Sequence, residues 1–79
     1  MERYRNLSGD SGVDAYEVGD DFVKVRFRTG GVYWYTNKSV GVKHVAALKR
    51  LALRGRGLST YISQHVDVKE GYARKEPDD

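Results

Sequence analysis

The sequence contains no cysteine, so neither a disulfide framework nor a thiolate metal site can form. No apolar run approaches the roughly 20 residues that cross a bilayer, and the first residues lack the pattern of a signal peptide. We therefore expect a soluble chain without a membrane contact, with the cytoplasm as the default compartment. Its 79 residues make one domain that buries about 60% of its unfolded surface, so self-association would be a natural source of extra stability.

Acidic residues are missing from the middle of the chain. Residues 22–65 carry nine lysines and arginines and no aspartate or glutamate. The 11 acids lie in residues 1–21 and 66–79, which have net charges of −4 and −2 although the whole chain is +3. This distribution predicts a basic centre with a polyanionic partner, and the alternative is that the acidic ends fold back and neutralise the centre.

Three segments have the character of β-strands. Residues 13–18 precede a turn cluster, and residues 22–28 then alternate apolar and basic side chains, as half-buried strands do. Gly30-Gly31 interrupts this pattern before the aromatic, strand-favouring residues 32–36. The sequence therefore predicts a three-stranded antiparallel meander.

Helices are predicted in the second half of the chain. Apolar residues recur at three- and four-residue steps from about Val40 to Arg54, where Asn37 or Ser39 could cap the start and Gly55 would end the helix. A second, shorter helix should follow. The predicted fold class is thus α+β, with one long and one short helix packed on one face of the sheet. The expected core residues are Val23, Val25, Phe27, Val45, Leu48, Leu51, Leu58 and Ile62.

Several short motifs follow one another in a distinctive order, namely Val23-x-Val25-x-Phe27, Gly30-Gly31, Tyr33-Trp34-Tyr35, Gly57-Leu58-x-x-Tyr61-Ile62 and Tyr72. Over residues 13–72 this order resembles the KTSC domain, a short domain that also occurs at the C-terminus of some lysyl-tRNA synthetases. The chain departs from the family's pattern at the start of the first helix, where many members have a proline. The resemblance implies the same fold and an association with RNA. We expect a flexible segment over 1–12, one KTSC-like domain over 13–72 and a disordered tail over 73–79.

The faces that the aromatic run occupies depend on the hairpin register, because a slip of one residue moves every side chain to the other face. With a two-residue turn, Tyr33 pairs with Arg28 and the tyrosines share the basic face. With a three-residue loop, Tyr33 pairs with Phe27, Tyr35 joins it in the core and Trp34 lies on the basic face. Either register places at least one ring among the cations of the strand.

These rings and cations predict a nucleic-acid site for tRNA or single-stranded RNA. Cationic groups would neutralise phosphates, rings would stack on bases, and a basic helix face would continue the phosphate track. The predicted binding residues are Lys24, Arg26, Arg28, Tyr33, Trp34, Tyr35, Lys43, Arg50, Arg54 and Arg56. The alternative is a protein–protein module or a homodimer built on an open sheet edge, since exposed Tyr, Trp and Arg also favour interfaces.

The sequence shows no constellation for catalysis or metal binding. His44 and His65 are the two histidines, with no cysteine and no acid between them, whereas a metal site needs a convergent set of ligands. The serines near His65 and Asp67 belong to no nucleophile motif. We therefore predict a non-enzymatic module without a metal or a small-molecule cofactor.

Overall fold

The computed structural model describes residues 1–7, 9 and 11–77. Within these residues, a five-stranded antiparallel sheet with its strands in chain order packs one face against four helices. The strands are β1 Glu2–Arg3, β2 Val13–Val18, β3 Phe22–Phe27, β4 Val32–Thr36 and β5 Arg74–Glu76. The helices are α1 Asn37–Val40, α2 Val42–Arg54, α3 Leu58–Gln64 and α4 Val66–Lys69. The α+β class is confirmed, whereas three strands and two helices were too few.

The core lies between the sheet and the helices. Alternation along β3 buries Val23 and Val25 completely, and the apolar stripe of α2 packs against them through Leu48. Of the predicted core residues, Phe27 and Leu51 are only half-buried at its margin, and the other six are buried. The core residues that the prediction omitted are Tyr4, Val13, Tyr16, Tyr35, Ala52 and Val68.

The β3–β4 register differs from both alternatives considered for the sequence. Tyr33 pairs with Val25, and the last ladder pair is Arg26 with Val32. Gly31 has a φ of 95°, and its carbonyl oxygen accepts a hydrogen bond from the Phe27 N–H at 3.2 Å, so the connection is longer than three residues. This register differs by two residues from the one expected for a three-residue loop. A shift of two residues leaves every side chain on the same face of the sheet, so Tyr33 and Tyr35 lie on the core side, as expected for that loop.

The predicted long helix is divided at Gly41, which has a φ of 101° and a ψ of 152°. This backbone conformation is nearly exclusive to glycine and separates α1 from α2. The cap of α1 is Thr36 rather than Asn37 or Ser39, because the Thr36 side chain accepts from the Ser39 N–H while Ser39 Oγ accepts from the Thr36 N–H, both at 3.0 Å. Gly55 ends α2 in the left-handed conformation, as predicted.

Both ends of the described chain are attached to the domain. Tyr4, in the segment predicted to be flexible, is only 3% exposed, and its hydroxyl accepts a hydrogen bond from the Leu58 N–H at 3.3 Å. Arg5 donates to the carbonyl oxygens of Leu53 and Arg54 at the end of α2, at 2.8 and 3.0 Å. The prediction of a disordered tail over 73–79 is wrong for β5, which pairs with β4, and residues 78 and 79 lie outside the described residues.

Candidate functional site

A cleft of about 490 Å³ opens between the β3–β4 hairpin and helices α3 and α4. Four of its lining residues are aromatic, three carry aliphatic hydroxyls, and two are charged. They are Phe27, Thr29, Tyr33, Tyr35, Ser59, Ile62, Ser63, Lys69, Glu70 and Tyr72. The volume lies within the range of about 300–1,000 Å³ that is usual for small-ligand sites, and the mixture of apolar walls with a few polar groups is typical of them.

The aromatic wall of the cleft is organised around Tyr33. Its ring meets those of Phe27 and Tyr72 edge to face, with centroids 5.3 and 4.9 Å apart, and it lies nearly parallel to the ring of Tyr35 at 6.5 Å. Tyr33 is half-buried and Tyr72 is 38% exposed, so parts of both rings remain accessible. The packing of one ring against another fixes their orientations.

Tyr35 lies at the inner end of this wall and is only 1% exposed. Burial, with smaller contributions from Tyr33 and Tyr72, raises the pKa of the Tyr35 phenol far above its ordinary range. The phenol therefore stays neutral at physiological pH and can both donate and accept a hydrogen bond. The cleft consequently offers neutral hydroxyls around an apolar surface rather than a buried anion.

Two lysines lie at the cleft, and an arginine lies between two of its lining residues, Phe27 and Thr29, in the chain. Lys69 lines the cleft, and Lys75 Nζ lies 5.3 Å from the centroid of the Tyr33 ring. Arg28 is exposed and follows Phe27 directly, and its cross-strand neighbour is Gly12, whose carbonyl oxygen accepts from the Arg28 N–H at 2.8 Å. Within the described part of the chain, none of these three cations forms an ion pair. They are therefore available to an anionic ligand.

The basic face of β3 is neutralised by β2, which corrects the expectation of a positive sheet surface. The β2–β3 register sets Glu17 opposite Lys24, 3.6 Å from its ammonium, and Asp14 lies 3.0 Å from the Arg26 guanidinium. A carboxylate that accompanies each cation cancels most of the field that a phosphate would experience. Two predicted phosphate contacts are thus paired with acids.

Trp34 lies on this same outer face and has several contacts within the protein. Lys24 Nζ is 4.1 Å from the centroid of its ring, Phe22 packs beside it at 5.2 Å, and its indole N–H donates to Glu76 at 2.5 Å. The Arg74 guanidinium lies 5.9 Å from the same ring and 3.4 Å from Glu76. The half-buried indole thus has its N–H bonded within the protein, and it lies on the face of the sheet opposite to the cleft.

The cations of α2 occupy the opposite side of the two-layer molecule. This helix buries Val45, Leu48 and Ala52 towards the sheet, and its basic residues point to solvent. The exposed members of the predicted site on or just after α2 are Lys43, Arg50, Arg54 and Arg56. The predicted residues therefore divide into three groups. Tyr33 and Tyr35 line the cleft, with Arg28 exposed between the lining residues Phe27 and Thr29 in the chain; Lys24 and Arg26 are paired with acids beside Trp34; and the other four belong to this basic helix side.

A chain of hydrogen bonds that the sequence analysis missed joins α2, α3 and α4. His44 Nε2 lies 2.8 Å from Asp67 Oδ2, and His44 Nδ1 lies 2.7 Å from the Tyr61 hydroxyl. Because a carboxylate only accepts, the proton of a neutral ring is on Nε2, and Nδ1 accepts from the phenol. The hydrogen bond from His44 lowers the pKa of Asp67. These contacts attach α4, which carries Lys69 and ends directly before Glu70, to α2.

Lys69 and Glu70 are lining residues that were not among the predicted site residues, and Tyr72 entered the predictions only through the resemblance. The sequence indicates α4 only weakly, because this helix has four residues and a single buried side chain, Val68.

Within the described residues there is no group of three or more side chains suited to hold a metal ion. None of the helices described by the structure has the length and apolar character needed to cross a membrane.

Comparison with known proteins found no matching family model, no similar curated protein and no similar solved structure.

Proposed function

We propose that this chain is a small, non-enzymatic binding module for single-stranded RNA, and that the aromatic cleft holds one base of the strand. The observation that carries this proposal is the combination of accessible tyrosine rings with cations that have no acidic partner among the described residues. Tyr33 and Tyr72 supply the rings, while Arg28, Lys69 and Lys75 supply the charge.

The chemistry of the cleft suits an unstacked nucleotide. An aromatic ring that stacks on a base contributes about 1–3 kcal/mol, and hydroxyls of the kind that Ser59 and Ser63 provide can bond to polar groups at the edge of the base. Lysine and arginine near the entrance can neutralise the phosphates on either side. A duplex would be a poorer ligand, because its bases are stacked and paired and cannot enter a cleft. The resemblance to the KTSC domain remains a prediction that agrees with this proposal.

The proposal can be tested by titrating a fluorescent single-stranded RNA oligomer with the protein at several salt concentrations. Phosphate contacts make affinity fall with salt, by about 0.7 in the logarithmic slope for each phosphate neutralised on a single strand. Replacing both Lys69→Gln and Lys75→Gln should reduce the magnitude of that slope by about 1.4.

The matched control is the double replacement Lys43→Gln and Arg50→Gln, which changes the net charge equally on the helix side of the molecule. This control should keep the slope of the wild type. If the control loses the slope and the cleft variant keeps it, RNA runs along α2 and the cleft is not the site. If neither the wild type nor the variants bind RNA at micromolar concentration, the proposed function is wrong.

A second candidate function, a protein-interaction or self-associating module, is favoured by the solvent side of α2. Val42 and Leu53 are 66% and 59% exposed there, and a partner that packs on this side of the helix would bury both. The predicted sheet-edge dimer has less support, since β1 and β5 are two and three residues long and carry charged side chains, features that hinder edge pairing. Sedimentation velocity of the wild type and of Leu53→Gln tests this candidate, which requires association that the substitution abolishes.

A further inference from the structure

Glu70 is the unexpected member of the cleft. A carboxylate beside the proposed path of an RNA strand repels the phosphates, so it should weaken binding unless it contacts another part of the ligand. Glu70 lines the cleft and is exposed, and within the described residues its side chain takes part in no ion pair. Its two oxygens are therefore available as hydrogen-bond acceptors beside the aromatic wall.

The bases differ in what they offer to such a carboxylate. Along its Watson–Crick edge guanine presents two neighbouring donors, the N1–H and the 2-amino group, which match the two oxygens of one carboxylate. Uracil presents one donor there, and adenine and cytosine each present a single amino group beside an acceptor. Bonds that involve an ionised acceptor are about twice as strong as neutral ones, and a two-pronged contact adds geometric selectivity.

We infer that the cleft prefers guanine, with Glu70 as the residue that determines this specificity. Glu70 accepts from N1–H and the 2-amino group, while the neighbouring Lys69 remains available to the phosphates of the strand. The stacking wall of Tyr33 and Tyr72 tolerates any base, so selection has to come from the polar groups of the cleft. This inference rests on the proposed RNA-binding function and names the base that the same site takes.

The experiment compares short uridine oligomers that carry a single central guanosine, inosine, adenosine, cytidine or uridine. The wild-type protein should bind the guanosine oligomer about tenfold more tightly than the uridine one, as a bidentate base contact typically provides. Inosine lacks the 2-amino group but keeps N1–H and O6, so its oligomer should lose most of that preference. A single guanosine avoids the self-association of guanosine runs.

The decisive variant is Glu70→Gln, which keeps the size of the side chain and removes its charge. Binding of the guanosine oligomer should weaken, because an amide offers only one acceptor oxygen. Binding of the uridine oligomer should stay equal or become tighter, because a repulsive charge has been removed. A protein that is merely damaged would lose affinity for both oligomers. The control Glu2→Gln makes the same charge change in β1 and should leave the preference for guanosine intact.

The outcomes separate this inference from the function on which it rests. If the wild type binds all the oligomers equally, or if Glu70→Gln keeps the preference for guanosine, the inference is overturned and RNA binding stands. If no oligomer binds at all, the proposed function and the inference fall together. A preference for cytidine would identify Glu70 as an acceptor for a single amino group and would also overturn the assignment of guanine.

Discussion

Replacing Tyr4→Ala should destabilise the domain strongly, although Tyr4 lies in a segment whose sequence predicts flexibility. In the structure this ring is 3% exposed, meets the ring of Tyr16 edge to face at 6.5 Å and belongs to the main hydrophobic core. Its backbone N–H also donates to the Asp14 carbonyl oxygen at 3.0 Å, so the contact anchors β1 to β2. The side chain contributes the packing and the hydroxyl that accepts from the Leu58 N–H, and the backbone hydrogen bond is independent of it.

The size of the effect follows from this burial. Truncating a buried aromatic side chain to alanine costs about 3–5 kcal/mol, and each kcal/mol lowers the Tm of a domain of this size by roughly 4–8 °C. We therefore expect a Tm at least 12 °C lower than that of the wild type, as a rough lower bound from these values. Tyr4→Phe keeps the ring and leaves the Leu58 N–H without its acceptor, which should cost about 1–3 kcal/mol.

Thermal and urea unfolding followed by circular dichroism measure these differences. The control is Leu7→Ala in the same segment, where the side chain is 54% exposed and truncation should change the stability by less than about 0.5 kcal/mol. If Tyr4→Ala unfolds with the same midpoint as Leu7→Ala, residues 1–7 do not dock on the core in solution, and the sequence prediction of a flexible segment is correct.

Three further predictions concern the turn before α2, the hydrogen-bond chain and the entrance of the cleft. Gly41→Ala should lower the stability by about 1–3 kcal/mol in urea unfolding, through backbone strain alone, because no atom lies within 4 Å of the added methyl group. The lowered pKa of Asp67 means that this carboxylate stabilises the fold above its ordinary pKa and loses that effect as the pH falls from about 4. The urea midpoint of Asp67→Asn should therefore depend less on pH in this acid range than that of the wild type, and parallel curves would contradict the assignment. Gly12→Glu would place a carboxylate opposite Arg28 and should weaken RNA binding relative to Gly12→Gln in the same titration; equal affinities would exclude Arg28 as a contact.

The elements predicted correctly are those whose sequence pattern is long enough to be unambiguous. The alternation of β3 specified a buried face over six residues, and α2 has a clear apolar stripe and a glycine at its end. The short strands β1 and β5 have no such pattern, because charged residues dominate both. They are placed by contacts with partners distant in sequence, such as the packing of Tyr4 and the pairing of Trp34 with Arg74. A local pattern cannot report such contacts.

The neutralisation of the sheet surface follows from strand pairing, which can be inferred from the sequence, whereas a count of charges along the chain does not reveal it. A tight turn after Val18 requires β2 and β3 to pair closely, which sets Glu17 opposite Lys24. A segment can therefore lack acids along the chain and still be neutralised by the neighbouring strand. The charge of a folded surface depends on cross-strand partners more than on neighbours in sequence.

The same pairing explains why the cleft keeps its positive entrance. The β2–β3 ladder places Val13 beside Phe27, and the chain before Val13 continues into Gly12, which has no side chain to offer to Arg28. Lys75 lies in β5, which β3 and β4 separate from the acids of β2, and Lys69 lies in α4, on the helix side of the cleft. The two lysines at the cleft thus lie outside the β2–β3 ladder and form no ion pair within the described residues, and the aromatic wall lies beside them. For this reason the cleft, rather than the alternating strand that first suggested a basic surface, is where we expect an anionic strand to bind.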